Sequence, residues 1–360
     1  MLFFDGWAIF LFSSINLLPT IMKIPFRLSI LALLSLSLSN LSWADEVNIY
    51  SARKEALIKP LLDKFTQQTG IEVNLVTGKA DALIKRLQSE GRNSPADVLI
   101  TTDAGRLHRA KAANLLQPVV SAVIEKQVPA KYRDPEGYWT GLSVRSRVIM
   151  FNKEKVDPAE LSTYEDLAAS KWKRRICVRS SNNIYNQSLV ASMIAANGEE
   201  STAQWAKGLV ANLARPPRGG DRDQIKAVAA GQCDIALANT YYLAKMIHSG
   251  KAEQLAVTEK IGVFWPNQKD RGAHVNISGA GITAHAANRE QAVKLLEFLV
   301  SDAAQKWYAE SNQEYPVSAN VPVSEILAQW GSFKSDAINL AELGKNNAQA
   351  VKIMDRAGWR

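Results

Sequence analysis

One pattern constrains the fold more than any other: from Val47 onward, short apolar strands alternate with amphipathic helices. EVNIYS reads as a strand, and KEALIKPLLDKFTQQTG as a helix with Leu57, Leu61, Leu62 and Phe65 at helical spacing and Gly70 as its stop. IEVNLVTG and ADVLITTD continue as strands, ADALIKRLQSEG and AGRLHRAKAANLL as helices. Such alternation predicts parallel sheets covered by helices on both faces. The rhythm breaks at a long strand-like run, Leu142 to Asn152, with no helix inside it. It then resumes with the helix STYEDLAASKW, the strand RRICVRS and a helix from Asn183 to Asn197. The helices STAQWAKGLVANLA and RDQIKAVAAG, the strand CDIALAN and a helix from Tyr241 follow. Beyond Trp265 come HVNISGAGITAH and the helices NREQAVKLLEFLVSDAAQKWYAES and PVSEILAQWGSF. A chain of 360 residues exceeds what one compact core usually holds. Two α/β lobes joined by two long strands, near 142–152 and 273–284, is the simplest architecture.

The first 44 residues stand apart from that pattern. From Met22, MKIPFRLSILALLSLSLSNLSWADE has a basic start (Lys23, Arg27), an apolar run and a small-residue end at Ser42-Trp43-Ala44. This is the pattern of a secretory signal cleaved after Ala44. The preceding stretch carries Asp5 and Pro19 among short apolar runs, a poor fit to a membrane span of about 20 residues, so Met22 is the expected start. Without residues 1–44 the formal charge falls from +8 to +7, because Lys23, Arg27 and Asp5 go with them. That mild excess helps recruit an anion or merely solvates the surface. No run of five like charges and no basic-aromatic interleaving occurs, which excludes ordinary nucleic-acid binding. The two cysteines, Cys177 and Cys233, form no metal-binding spacing. In an exported chain they are either a disulfide, stabilising by roughly 4 kcal/mol, or two buried thiols in neighbouring strands.

In an open α/β sheet, ligands bind where strands end and helices begin. Five polar segments fall at such places: YSARKE, VTGKAD, TTDAGR, RSSNNIYN and ANTYY. Two of them put tyrosine in the first turn of a helix, Tyr185 in one and Tyr241 and Tyr242 in the other. Adjacent strand residues point to opposite faces, so the Tyr pair shares a ligand only if the chain bends, and Asn239-Thr240 supplies turn and N-cap chemistry. Helix N-termini favour phenolate and bound anions alike. Phenols ionise near pH 10, so several phenolates at neutral pH need a strong Lewis acid. A hard trivalent cation such as Fe(III) suits that oxygen set; a tyrosine pair in a core or on a surface is the alternative.

The remaining chemistry is sparse. His108, His248, His274 and His285 form no metal-ligand spacing and read as surface or structural residues. No nucleophile elbow, P-loop or acid/base carboxylate pair is present, and nothing suggests catalysis.

In order and spacing, VNIYSARKE, NSPADVLITTDAGRL, YWTGLSVRSRVIMFNK, RSSNNIYNQSLVASMIAANG and CDIALANTYYLAKM resemble the periplasmic ferric-iron-binding proteins of bacterial ABC transporters. That family, also called bacterial transferrins, belongs to the periplasmic binding-protein superfamily. The resemblance runs from about Val47 to the end of the chain, and its tyrosine segments are the most specific part. It implies a two-lobed, type II-like binding protein closing on one Fe(III), with Tyr185, Tyr241 and Tyr242 as phenolate ligands. It divides the chain into an N-terminal lobe, 45–145 plus about 278–320, and a C-terminal lobe, 146–277 plus about 321–360. Many members carry a His-Tyr pair after the first strand; here those positions read Lys54-Glu55. The departure matches a subgroup with three tyrosines and a synergistic anion, typically carbonate. Arg53 is the implied anion-binding residue, with a salt-bridged hinge residue as its alternative; Arg145 is a supporting residue that serves partly as such a hinge residue, and Lys245 a neighbour able to neutralise a phenolate or a surface lysine. Glu55 is the alternative carboxylate ligand in place of the missing tyrosine.

The implied function is a monomeric periplasmic carrier, not an enzyme, that delivers Fe(III) to an inner-membrane ABC permease. Two rivals remain open on sequence. One is a binding protein of the same fold for an oxyanion or small organic cation, its tyrosines forming a wall. The other is a secreted metal-dependent hydrolase, which lacks the expected histidine or carboxylate pair.

Overall fold

The computed structural model describes residues 45–360; the predicted signal segment and the stretch before it, residues 1–44, lie outside them. Nine strands occur among the described residues: β1 (Glu46–Ser51), β2 (Glu72–Thr77), β3 (Val98–Thr102), β4 (Leu116–Gln117), β5 (Thr140–Asn152), β6 (Ile176–Cys177), β7 (Ile235–Asn239), β8 (Ile261–Phe264) and β9 (Val275–Thr283). They are joined in the order β2–β1–β3–β9–β5–β7–β6, with β4 on β9 and β8 on β5. As the alternation predicts, β1 is parallel to β2 and β3, and β6 to β7. The two long strands differ: β9 is antiparallel to β3 and β5, and β5 is antiparallel to β7 and β8. A chain that leaves one lobe on one strand and returns on another must reverse direction, so the sheet is mixed where the lobes meet. Along β5, Thr140–Ser146 pairs with β9 and Arg147–Phe151 with β7. One uninterrupted strand thus belongs to both lobes.

Side-chain alternation explains the packing. On β5, Ile149 and Phe151 enter one core while Val148 and Met150 enter another. On β7, Ile235 and Leu237 join the first of these, Ala236 and Ala238 the second. Successive strand residues face opposite ways, so this sheet is covered on both sides, as a βα alternation requires. The other lobe has its own core around Val47, Ile49, Val98 and Ile100, filled by Leu61, Phe65, Leu83, Leu87 and Leu107 from its helices. Past Ser324 the chain divides: Leu327, Leu340 and Leu343 join this N-terminal core, whereas Ile353, Met354 and Trp359 pack in the C-terminal one.

Local expectations hold with three corrections. The predicted break between two helices lies inside Ile184–Ala211, at Gly198, whose φ of 78° suits glycine. STYEDLAASKW forms only 3-10 turns, Glu165–Ala168 and Ser170–Trp172. The long helix after Asn288 is two, Arg289–Leu299 and Asp302–Asn312, because Ser301 caps the second by accepting from Ala304. PVSEILAQWGSF keeps only a single turn of helix, Glu325–Ala328. Cys177 and Cys233 are joined as a disulfide, Cα–Cα 5.8 Å, tying β6 to the residues before β7. Trp265 stacks on Phe333 (centroids 3.9 Å, interplanar 2°) with Tyr315 edge-on to both. No helix among the described residues is long and apolar enough to cross a membrane.

Candidate metal centre

The three tyrosines converge. Asn183 caps its helix by accepting from the Tyr185 amide at 3.0 Å, which sets Tyr185 in the first turn. β7 runs straight into the helix Thr240–His248, so Tyr241 and Tyr242 leave the sheet at its carboxyl end. Their rings lie 4.2 Å apart at 31°, and the Tyr185 phenol hydrogen-bonds with Tyr241 and with Thr102 at the end of β3. The expected cap on the second helix is corrected: Asn239 caps nothing with its side chain and accepts instead from Arg147 at 3.2 Å.

Three cations lie close to the phenol rings. The Arg145 guanidinium carbon lies 5.2 Å from the Tyr185 ring centroid, that of Arg179 5.8 Å, and the Lys245 ammonium 5.6 Å from the Tyr241 ring. Burial alone would raise the Tyr185 phenol, but Arg145 and the hydrogen bonds from Tyr241 and Thr102 outweigh it and hold the group below the ordinary phenol value. Burial pushes Tyr241 well above that value, with Tyr185 and Tyr242 adding repulsion. Burial and Tyr185 push Tyr242 up to about 12. Without a cation, then, at least two of the three stay protonated at neutral pH. Burial pulls Lys245 down to about 8, against the attraction of Glu314.

The predicted anion ligands separate. Arg53 is buried and donates to Glu314 at 3.0 and 3.2 Å and to the Ser278 hydroxyl. It therefore already has a carboxylate partner, which Ser143 also contacts. Despite burial, Arg53, Arg145 and Lys245 keep Glu314 below the usual carboxylate range. Arg145, only 2% exposed, donates from Nη2 to the Ile277 carbonyl, while its Nε and Nη1 have no partner. A buried guanidinium with two unpaired donors beside the Tyr185 ring could hold an anion. Glu55 is exposed on a 3-10 turn and lines a surface depression with Lys59, Asp63 and Glu72.

Five contributors escaped the sequence reading. Glu314 comes from the loop after the helix Asp302–Asn312 and closes on Arg53 from 261 positions away. Arg147, Arg179 and Asp221 form an ion cluster beneath the phenols, with Arg147–Asp221 at 2.9 Å and Arg179–Asp221 at 3.3 Å. The only signal for Arg147 was its spacing, two residues beyond Arg145 on one strand and hence on the same face. Asp103, at φ 85°, links the lobes: its Oδ1 accepts from the Ser188 hydroxyl at 2.7 Å, one turn beyond Tyr185, and its Oδ2 from Asn276 at 2.8 Å. A non-glycine residue held in that region marks strain kept by its surroundings.

Among the described residues no group of three histidine, cysteine or carboxylate side chains could hold a metal. The donor set is three phenol oxygens and unpaired arginine N–H groups. It suits a hard, highly charged cation bound together with a small oxyanion.

Residues 93–335 match the family described as bacterial extracellular solute-binding protein. The chain is 54% identical to Iron uptake protein A1 of Synechocystis sp., covering 88% of each protein. It is 30% identical to the Fe(3+)-binding periplasmic protein of Serratia marcescens, over 86% of this chain and 89% of that one. Among solved structures, a Trichodesmium protein, IdiA (FutA), in complex with iron and citrate ligands superposes with a TM-score of 0.86 at 56% identity, covering 88% of this chain and 100% of that one.

Proposed function

This chain belongs to the bacterial extracellular solute-binding protein family, and on that premise we propose that it is a periplasmic carrier which takes Fe(III) as its cargo and delivers it to an inner-membrane ABC permease. The observation that supports this reading is the convergence of Tyr185, Tyr241 and Tyr242 beside Arg145. Three phenolates match the charge of Fe(III). A synergistic oxyanion, carbonate or another carboxylate-type ligand, completes the coordination from the N–H groups of Arg145 that lack partners. Arg53, held by Glu314, supports the cleft wall in this reading, and Lys245 balances the charge that the anion adds. The names of the relatives support iron as the cargo, and citrate beside iron in the Trichodesmium protein supports an oxyanion partner. In this reading the lobes are 45–145 with about 278–320, and 146–277 with about 321–360; the packing of Leu327, Leu340 and Leu343 with Val47 and Ile49 supports moving the first part of that last segment to the N-terminal lobe.

Visible absorption titration of residues 45–360 with ferric citrate, in bicarbonate buffer, tests the reading. A phenolate-to-iron charge-transfer band that saturates at one metal per chain is expected; binding without a band would remove iron from the proposal. The same titration in weak buffer should release two to three protons per metal, since Tyr241 and Tyr242 are protonated beforehand. Each displaced proton makes affinity about tenfold higher per pH unit, so the band is strengthened by raising the pH and lost as acid reprotonates the phenols. Glu55→Gln should leave band and affinity unchanged, because Glu55 is exposed on a 3-10 turn and lines a depression with Lys59, Asp63 and Glu72. A tenfold loss in that variant would restore Glu55 as a ligand.

A further inference from the structure

The three phenols sit on two separate helix starts, and something must fix those starts relative to one another. Arg147 does so through hydrogen bonds and one buried ion pair. It is 1% exposed, and its two terminal nitrogens reach four acceptors. Nη1 donates to Asp221 Oδ2 at 2.9 Å and to Asn239 Oδ1 at 3.2 Å. Nη2 donates to Asn186 Oδ1 at 2.6 Å and to the Leu237 carbonyl at 3.0 Å. Asn186 follows Tyr185 directly, Asn239 precedes Tyr241 by two residues, and Asp221 opens a third helix, Asp221–Ala229. Asp221 closes the circuit by accepting from the Asn239 amide at 3.0 Å and from Arg179 at 3.3 Å, while Asn186 donates to the Arg179 carbonyl at 2.8 Å.

A pair of apolar side chains could fill this space at no desolvation cost. What a guanidinium adds is direction: planar donors at fixed angles, each able to hold a different element. We propose that the buried Arg147–Asp221 pair is a positioning device that sets the Tyr185 helix start against the Tyr241–Tyr242 helix start, so that three phenol oxygens stand at coordinating geometry on one lobe before the cargo arrives. Arg147 touches no ligand in this scheme; it acts through Asn186 and Asn239. The inference rests on the iron-carrier reading above.

Arg147→Lys tests it, because lysine keeps the charge beside Asp221 but cannot span three helix starts. The expected result is a folded protein whose charge-transfer band is shifted and whose iron dissociates into a competing chelator about tenfold to a hundredfold faster, the size of effect typical of residues that orient ligands. Leu209→Ala, which hollows the core of the same lobe at the far end of the Tyr185 helix, supplies the control: it lowers thermal stability while leaving the band where it was. If Arg147→Lys does not fold, Asn186→Ala removes one arm of the clamp and should shift the band in the same sense. A folded Arg147→Lys or Asn186→Ala protein with unchanged band and dissociation rate overturns the positioning role and leaves the carrier reading standing. Absence of the band in the unsubstituted protein overturns both.

Discussion

Tyr242→Phe is expected to remove the charge-transfer band's full intensity and weaken iron binding by more than the roughly hundredfold typical of lost outer-sphere partners. The phenyl ring keeps the packing against Tyr241, 4.2 Å away, so the loss is of one anionic oxygen and not of the fold. Two phenolates leave a trivalent cation short of one charge, and Arg145, Arg179 and Lys245 nearby then repel it. Tyr242 is the preferred variant because it leaves Tyr185, the phenol that Arg145 faces and Thr102 holds, unaltered. Competition with a chelator of known affinity measures the effect. An unchanged titration would mean that the cation sits elsewhere.

The second large effect concerns stability. Converting both Cys177 and Cys233 to alanine is expected to lower the unfolding free energy by about 4 kcal/mol, the chain-entropy value for a bridge across 56 positions. The closed loop contains Tyr185, Arg179 and Asp221, so the bridge restricts the unfolded excursions of the segment that builds the site. Denaturant unfolding of the iron-free protein, with and without reductant, reads it directly. A shift under 1 kcal/mol would show that the two C-terminal cores hold this lobe without help. In the folded, reduced protein the iron band should keep its position, since neither sulfur touches the phenols.

Much of the architecture was legible because it rests on local periodicity. The strands β1, β3 and β7, the two long strands, the break near Gly198 and the placement of tyrosines at strand ends all follow from patterns within about a dozen residues. The short pieces β4 and β8 were missed, being too brief to show a period and fixed only by pairing with β9 and β5. The direction of β9 was missed for the same reason: pairing is a tertiary fact. Site residues divide along the same line. Tyr185, Tyr241 and Tyr242 announced themselves by an unusual side chain at a helix start. Arg53 was singled out only through the family resemblance, and its partner Glu314 lies 261 residues away, where no spacing could reveal it. Asp221 looked like any acidic first-turn residue, favourable to the helix dipole. Only the fold shows that it holds two arginines at once.

The stack of Trp265, Phe333 and Tyr315 has a practical side. Trp265 and Trp330 pack against both the N-terminal core and one of the C-terminal cores, and the Trp265 indole donates to the Trp330 carbonyl at 2.8 Å. Aromatic plates in contact favour a narrow range of offsets, so rotation of one core against the other slides ring over ring and alters the polarity and quenching felt by the indole. In the carrier proposed above, the stack would act as a built-in optical strain gauge, its ultraviolet emission reporting opening and closing without an attached dye.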